Sequence, residues 1–265
     1  MTGPFWLSPS HAVVLFDGPD AGAFLQSQLT NDVAALTEGA WQWQGYCTAK
    51  GRLVATFALA RLGQTRYAAV VHDSLAQALV NRLTIFRLRS KVSLLIEPAL
   101  ALAFALPGTP PQPKALLATW AVAPGLTFAI AQAQGQGLAR AGAEQVEALR
   151  LALIRAHIPE VTAATTEHFV PQMIGWDRVT PGGGVSFSKG CYPGQEVVAR
   201  AHYRGAVKKH LEHVELPLEP VRSPGQWVVL ADGREAEICN IARDTQAQLA
   251  LVVVQGTESS TSGSS

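Results

Sequence analysis

Between Trp41 and Leu106 the order of strand-like and helix-like segments leaves few folds open. Trp41 to Cys47 alternates large and polar residues, Ala49-Lys50-Gly51 has hairpin-turn chemistry, and Arg52 to Leu62 returns as a strand. Gly63-Gln64 turns the chain again into Arg66 to His72. From Ser74 a helix follows, with Leu75, Leu79, Leu83 and Phe86 at helical spacing as the expected core stripe. Lys91 to Ile96 and Leu100 to Leu106 read as strands again. Strands, one helix and more strands in that order predict an α+β layer, with helices on one face of an antiparallel sheet.

The flanking segments extend the pattern. His11 to Phe16 is strand-like, and Asp17-Gly18-Pro19-Asp20 turns into a helix that Asp20 is placed to cap and that runs to about Leu29. Ala21, Phe24, Leu25 and Leu29 share its apolar face. Thr30-Asn31-Asp32 follows as a cap or turn, with ligand contact the second possibility. Gly108 to Pro113 has linker composition, a domain boundary or a surface loop, and Leu116 to Val122 and Leu126 to Ala131 are strand-like. Glu144 to Ala156 is amphipathic, with Val146, Leu149, Leu153 and Ala156 inward, and Pro159 ends it. Gly184 to Phe187 reads as a short strand. After Leu211, short strands divided by Pro217, Pro220, Pro224-Gly225 and Asp232-Gly233 predict a small barrel or sandwich ending at Val254. The Ser/Gly-rich Thr257 to Ser265 is expected to be disordered.

Bulk properties exclude several classes. A formal net charge of +1 over 265 residues provides no global field for nucleic acid. No secretory leader is visible after Met1, and the longest apolar runs, such as Ala99 to Leu106, are far below the roughly 20 residues of a membrane span. Cys47, Cys191 and Cys239 are widely separated, without metal-site spacing, which points to a reducing, cytoplasmic compartment. No dinucleotide, phosphate-loop or nucleophile-elbow motif is present, and the scattered histidines nominate no metal site.

The chemistry is concentrated in Lys189-Gly190-Cys191-Tyr192-Pro193-Gly194-Gln195-Glu196, a glycine-punctuated loop opening a helix. Free backbone N–H groups at such a place can hold a ligand, and a plain strand-to-helix turn is the alternative. Cys191 lies near a helix start and two residues from Lys189, a setting that favours thiolate, against the usual role of a lone cysteine as a small core residue. Lys189 with Arg200, His202, Arg204, Lys208, Lys209 and His210, a stretch without acids, suits a carboxylate or phosphate, or is a solvated basic face, or docks a partner protein. Glu196 and Arg200 are spaced for a helical ion pair.

The loop resembles the signature Lys-Gly-Cys-Tyr-x-Gly-Gln-Glu of YgfZ-type folate-binding proteins, relatives of the T-protein (aminomethyltransferase) of the glycine cleavage system. Val197 to Gly205, Leu25 to Val33, Cys47 to Arg52 and Phe169 to Gln172 match as well, so the resemblance runs from Phe16 to about Val254. It implies an α+β, T-protein-like arrangement of three domains around a central channel, with a ferredoxin-like domain and a small C-terminal β-barrel. The expected units are 1–45 with 140–205, carrying the motif; 46–139, ferredoxin-like; 206–256, the barrel; and the tail 257–265. Tetrahydrofolate is the implied ligand, with no intrinsic metal or cluster. The implied role is assembly or repair of iron-sulfur clusters in client enzymes, including tRNA-modifying ones, without direct nucleic-acid or membrane contact. Lys189 and Cys191 carry over as the operative residues, and Gly190, Tyr192, Gly194, Gln195, Glu196, Arg200, Arg204, Asn31 and Gln172 as folate-binding ones. His11 and Leu149 stand where the family places aromatic residues for folate. The acidic pair of T-proteins is replaced by Ala55 and Thr56, and Arg155 and His157 stand where T-proteins place the pterin glutamate. Both changes count against aminomethyl transfer, the rival activity.

Overall fold

The computed structural model describes residues 5–106, 114–204 and 208–255. The expected linker Gly108 to Pro113, Gly205, whose glycine predicts a break in the helix after the motif, the tail from Thr257 and the side chain of Arg204 lie outside the described residues. In chain order the elements are β1 (Phe5–Leu7), β2 (His11–Asp17), α1 (Ala21–Gln28), β3 (Trp41–Cys47), β4 (Leu53–Arg61), β5 (Arg66–His72), α2 (Asp73–Arg87), β6 (Ser93–Ile96) and β7 (Leu100–Ala105). There follow β8 (Leu116–Ala123), β9 (Leu126–Gln132), β10 (Leu138–Arg140), α3 (Ala143–Arg155), a 3-10 turn at Pro171–Ile174, and α4 (Gln195–Arg204). The chain closes with β11 (Lys209–Leu216), β12 (Trp227–Val229), β13 (Glu235–Arg243) and β14 (Gln248–Gln255).

These strands form three sheets. The first, β3-β4-β5-β2-β6, is antiparallel throughout. Its strand β4 is buried along nearly its whole length, as a strand covered on both faces must be. The second sheet, β10-β1-β7-β9-β8, is antiparallel except where β1 runs parallel to β10. One apolar core joins these two sheets to α1, α2 and α3. The third sheet, β11-β14-β13-β12, curls into a half-barrel with its own apolar cluster around Ile238, Val252 and Val254. The expected division at 45/46 runs through β3, which pairs with β4 from Trp41 to Cys47, and β2 lies beside β5 in the same sheet.

Local departures have local causes. α2 buries Leu75, Ala76, Leu79 and Leu83, but Phe86 is 48% exposed. Thr84 to Arg89 are exposed without exception, so the last turn projects past the sheet and its apolar side chains meet no core. Asp20 makes no side-chain cap for α1; its carboxylate accepts the Lys91 backbone N–H at 2.7 Å instead. Gly184 to Phe187 is not a strand, because the Thr30 hydroxyl takes the Gly184 carbonyl at 2.6 Å and only the Ser186 N–H to Thr30 O contact remains of a ladder.

Candidate functional site

An α-helix ends with carbonyls that have no partner within the helix. At the end of α1 these are met by Lys189, whose Nζ donates to the carbonyl oxygens of Gln26 and Leu29 at 2.6 Å each and of Asn31 at 3.2 Å. An ammonium has three hydrogens, and all three are used. The side chain is buried, which pushes its ammonium down to about 8, with the Asp32 carboxylate opposing. Its Nζ also lies 5.3 Å from the centre of the Tyr192 ring, itself buried. Lys189 is therefore an inward strut that ties the motif to α1, rather than the ligand-facing cation its sequence position suggested.

The rest of the motif is tied down from the other side. Gly194 has φ +82°, and a Cβ there would lie 2.4 Å from Thr48 O and 2.6 Å from Gly51 Cα. The motif and the Thr48–Gly51 hairpin turn thus meet backbone to backbone, an approach only glycine permits. Gly194 O then accepts the Val197 and Val198 N–H groups as α4 begins, and Gln195 N donates to Tyr192 O. Gln172 Nε2 donates to Val198 O at 2.8 Å, while its Oε1 is buried without a partner among the described residues. Asn31 Nδ2 donates to Trp43 O and Gly183 O, both at 3.0 Å. Cys191, Gly190, Glu196 and Arg200 are exposed, and Glu196 and Arg200 make no ion pair among the described residues. The thiols of Cys47 and Cys239 are buried, and burial pushes Cys47 up to about 12 and Cys239 up as well.

This anchoring shapes a wall. Asn31 and Thr30 hold residues 183–184, Gly184 lies against the Trp176 indole, and Trp176 meets Trp43 at 5.4 Å between ring centres. Trp43, Trp176, Phe57 and Phe128, with His11 and Thr56, line a narrow pocket, the aromatic channel of this fold, of about 10 Å³, room for one water. Leu149 is buried in the core and is not part of that lining.

His11 is the polar end of that channel. Its Nδ1 is 2.9 Å from Ser8 Oγ and its Nε2 is 2.7 Å from Glu160 Oε1. Asn240 clamps Glu160 by its backbone, Oδ1 accepting the Glu160 N–H and Nδ2 donating to the Glu160 carbonyl, each at 2.9 Å. Asn240 stands at an irregularity in the β13–β14 pairing, a device that commonly aims a side chain at a site. Burial alone would raise the Glu160 pKa, but His11, by its charge and its hydrogen bond, together with the charges of His72 and Arg150, outweighs burial and holds it below the usual carboxylate range. On its far side Glu160 opens onto a cavity of about 310 Å³. Leu153, Ile154 and Ile158 form part of its wall, and Arg150, Arg222 and Arg243 are among its cations.

Two constellations result, the motif anchored on α1 and the Thr48–Gly51 turn, and the Glu160 cluster beside the cavity. Sequence reasoning located the motif and His11 but missed Glu160, Asn240 and the arginines, which come from α3, a loop and the C-terminal half-barrel. The one available signal was an acid placed directly after Pro159, between Ile158 and Val161. Among the described residues no three His, Cys, Asp or Glu side chains meet as a metal-ligand set.

No family model matches the chain. It is 32% identical over 225 residues to the "tRNA-modifying protein YgfZ" of Klebsiella pneumoniae, covering 76% of this chain and 68% of that one. It is 29% identical over 232 residues to the protein of the same name from Vibrio vulnificus, covering 78% and 68%. Among solved structures, the glycine cleavage system aminomethyltransferase T from Bartonella henselae matches with a TM-score of 0.58 and 14% identity, over 96% of this chain and 79% of that one. At that identity the likeness establishes the fold. Sequence identity over two thirds of its relatives' length, on the aminomethyltransferase fold, places this chain in the YgfZ family.

Proposed function

We propose that the chain binds a reduced folate in the cavity above Glu160 and, with it, supports assembly or repair of iron-sulfur clusters in cytoplasmic enzymes that modify tRNA. The observation that carries the folate half is the cavity itself. About 310 Å³ with an apolar wall, the two carboxylates of Glu147 and Glu160, the first paired with Arg150, and three guanidiniums is chemistry that suits a flat heterocycle with an anionic tail. The aromatic channel, at about 10 Å³, has no room for a bicyclic ring, so the ring belongs on the wider side. Glu160 would accept hydrogen bonds from its N–H edge, Leu153, Ile154 and Ile158 would cover its face, and Arg150, Arg222 and Arg243 would meet the tail carboxylates. A bound reduced folate would supply one-carbon chemistry at its N5 and N10 nitrogens.

Support for the iron-sulfur half comes from the family resemblance and from the relatives' names, which specify tRNA modification. Client enzymes, rather than tRNA itself, are the partners in this reading. Aminomethyl transfer is disfavoured by the position of Thr56, which lines the channel with its hydroxyl accepting the Val161 N–H at 2.9 Å, and by the methyl of Ala55. Neither can act as the carboxylate that chemistry uses.

Titration of the full chain with tetrahydrofolate tests the first half, with saturable binding expected and absence of binding overturning it. A strain lacking the protein tests the second: iron-sulfur tRNA-modifying activity should fall, and full activity would refute the role.

A further inference from the structure

The end of α2 and the strand after it form a surface that neither the core nor the cavity uses. Leu88 follows α2 with φ +45°, a conformation a branched side chain adopts at a cost, and it is 86% exposed. Ile85 is 70%, Phe86 48% and Leu95 41% exposed. Three cations, Arg87, Arg89 and Lys91, are exposed in the same stretch, and none of them is in an ion pair among the described residues. Of the neighbouring acids, Asp20 accepts the Lys91 backbone N–H, Asp17 lies 3.8 Å from Arg66, and Glu97, next to β6, accepts the Ala99 N–H at 3.0 Å. Leu95 belongs to β6, the terminal strand of its sheet, and no strand among the described residues pairs with its outer edge.

We propose that this surface docks an extended acidic segment of a partner protein, which adds to β6 as a further strand. An open edge presents a row of backbone N–H and C=O groups that only another strand satisfies fully. Acidic side chains on one face of that strand would meet Arg87, Arg89 and Lys91, and apolar ones would cover Phe86, Leu88 and Leu95. A lipid surface would cover the apolar groups but leave the backbone of β6 unpaired. A second copy docking by two-fold symmetry would bring the same three cations face to face. The strained, exposed Leu88 fits a residue kept for contact rather than for folding. Nothing in this proposal depends on folate.

The test is a random octapeptide display library panned against the full chain, with R87E/R89E and L88G as comparisons. Enriched peptides should alternate acidic with aliphatic residues and slow amide exchange at residues 93–96. Their affinity should fall tenfold or more for both variants. L88G relieves the left-handed strain and should melt at a higher temperature than the parent, so its loss of binding cannot be unfolding. No enrichment, peptides without acids, or equal affinity for the variants would overturn the proposal. So would phosphatidylglycerol vesicles bound with the same dependence on Arg87 and Arg89, or a dimer abolished by R87E/R89E.

Discussion

Lys189 Nζ stands 2.6 Å from the carbonyl oxygen of Leu29, and this contact makes the motif's lysine part of the scaffold. The same ammonium caps Gln26 and Asn31, so the end of α1 and the start of the motif are one unit. Through Asn31, which donates to Gly183 O, the motif is tied to the segment that lies against Trp176, one of the residues lining the narrow aromatic pocket.

Replacing Lys189 with methionine would leave three carbonyls without their charged donor. Hydrogen bonds to a charged group contribute about 1.5–3 kcal/mol each, and they do not add fully, so a loss of about 2–4 kcal/mol is expected. Urea denaturation measures it. Tetrahydrofolate affinity of the folded fraction should be unchanged; a large selective loss of affinity with stability intact would show that Lys189 faces the ligand.

Gly194→Ala should be costly in the same assay. The added methyl would lie 2.4 Å from Thr48 O and 2.6 Å from Gly51 Cα, at φ +82°. Left-handed backbone alone costs an ordinary residue about 1–2 kcal/mol, and the overlap adds to it, so about 3 kcal/mol or more is expected. Gly233→Ala has the same handedness with open space around it and should cost only the backbone share.

How much of this was visible in the sequence depends on the range of the interaction. Periodicity placed the strands from His11 to Ala131 and the helix over α3, because each depends on neighbours a few residues away. Phe86 continued the α2 pattern, yet the pattern carries no record of where the sheet beneath it ends. The eight-residue motif was legible as a signature, but its direction was not. Whether Lys189 points out to an anion or in to Leu29 is decided by packing 160 residues away in the chain. Glu160 was less legible still, since its ionised state depends on His11, and its position on Asn240.

The Glu160–His11 pair gives a pH signature with a definite sign. The Glu160 pKa is lowered from 4.5 on folding, so its contribution to stability is complete above 4.5 and is lost as pH falls through the lower, folded value. Wild-type protein should therefore lose stability more steeply below pH 4.5 than His11→Gln, whose Glu160 lacks the imidazole. Parallel slopes in chemical denaturation from pH 6 to 3 would show that His11 does not set the carboxylate's charge.

The three thiols should separate cleanly by reactivity. Cys191 is exposed, whereas Cys47 and Cys239 are buried within strands β3 and β13 and their thiols are pushed up by burial, Cys47 to about 12. Thiolate is the reacting form, so at pH 8 a maleimide reagent should label Cys191 alone in the native protein. Mass spectrometry should find one adduct before denaturation and three after it in urea, with Cys191→Ser giving none and then two. Early labelling of Cys47 would mean that the Thr48–Gly51 turn opens away from Gly194 in solution, and would place the motif's anchoring on the moving side of the fold.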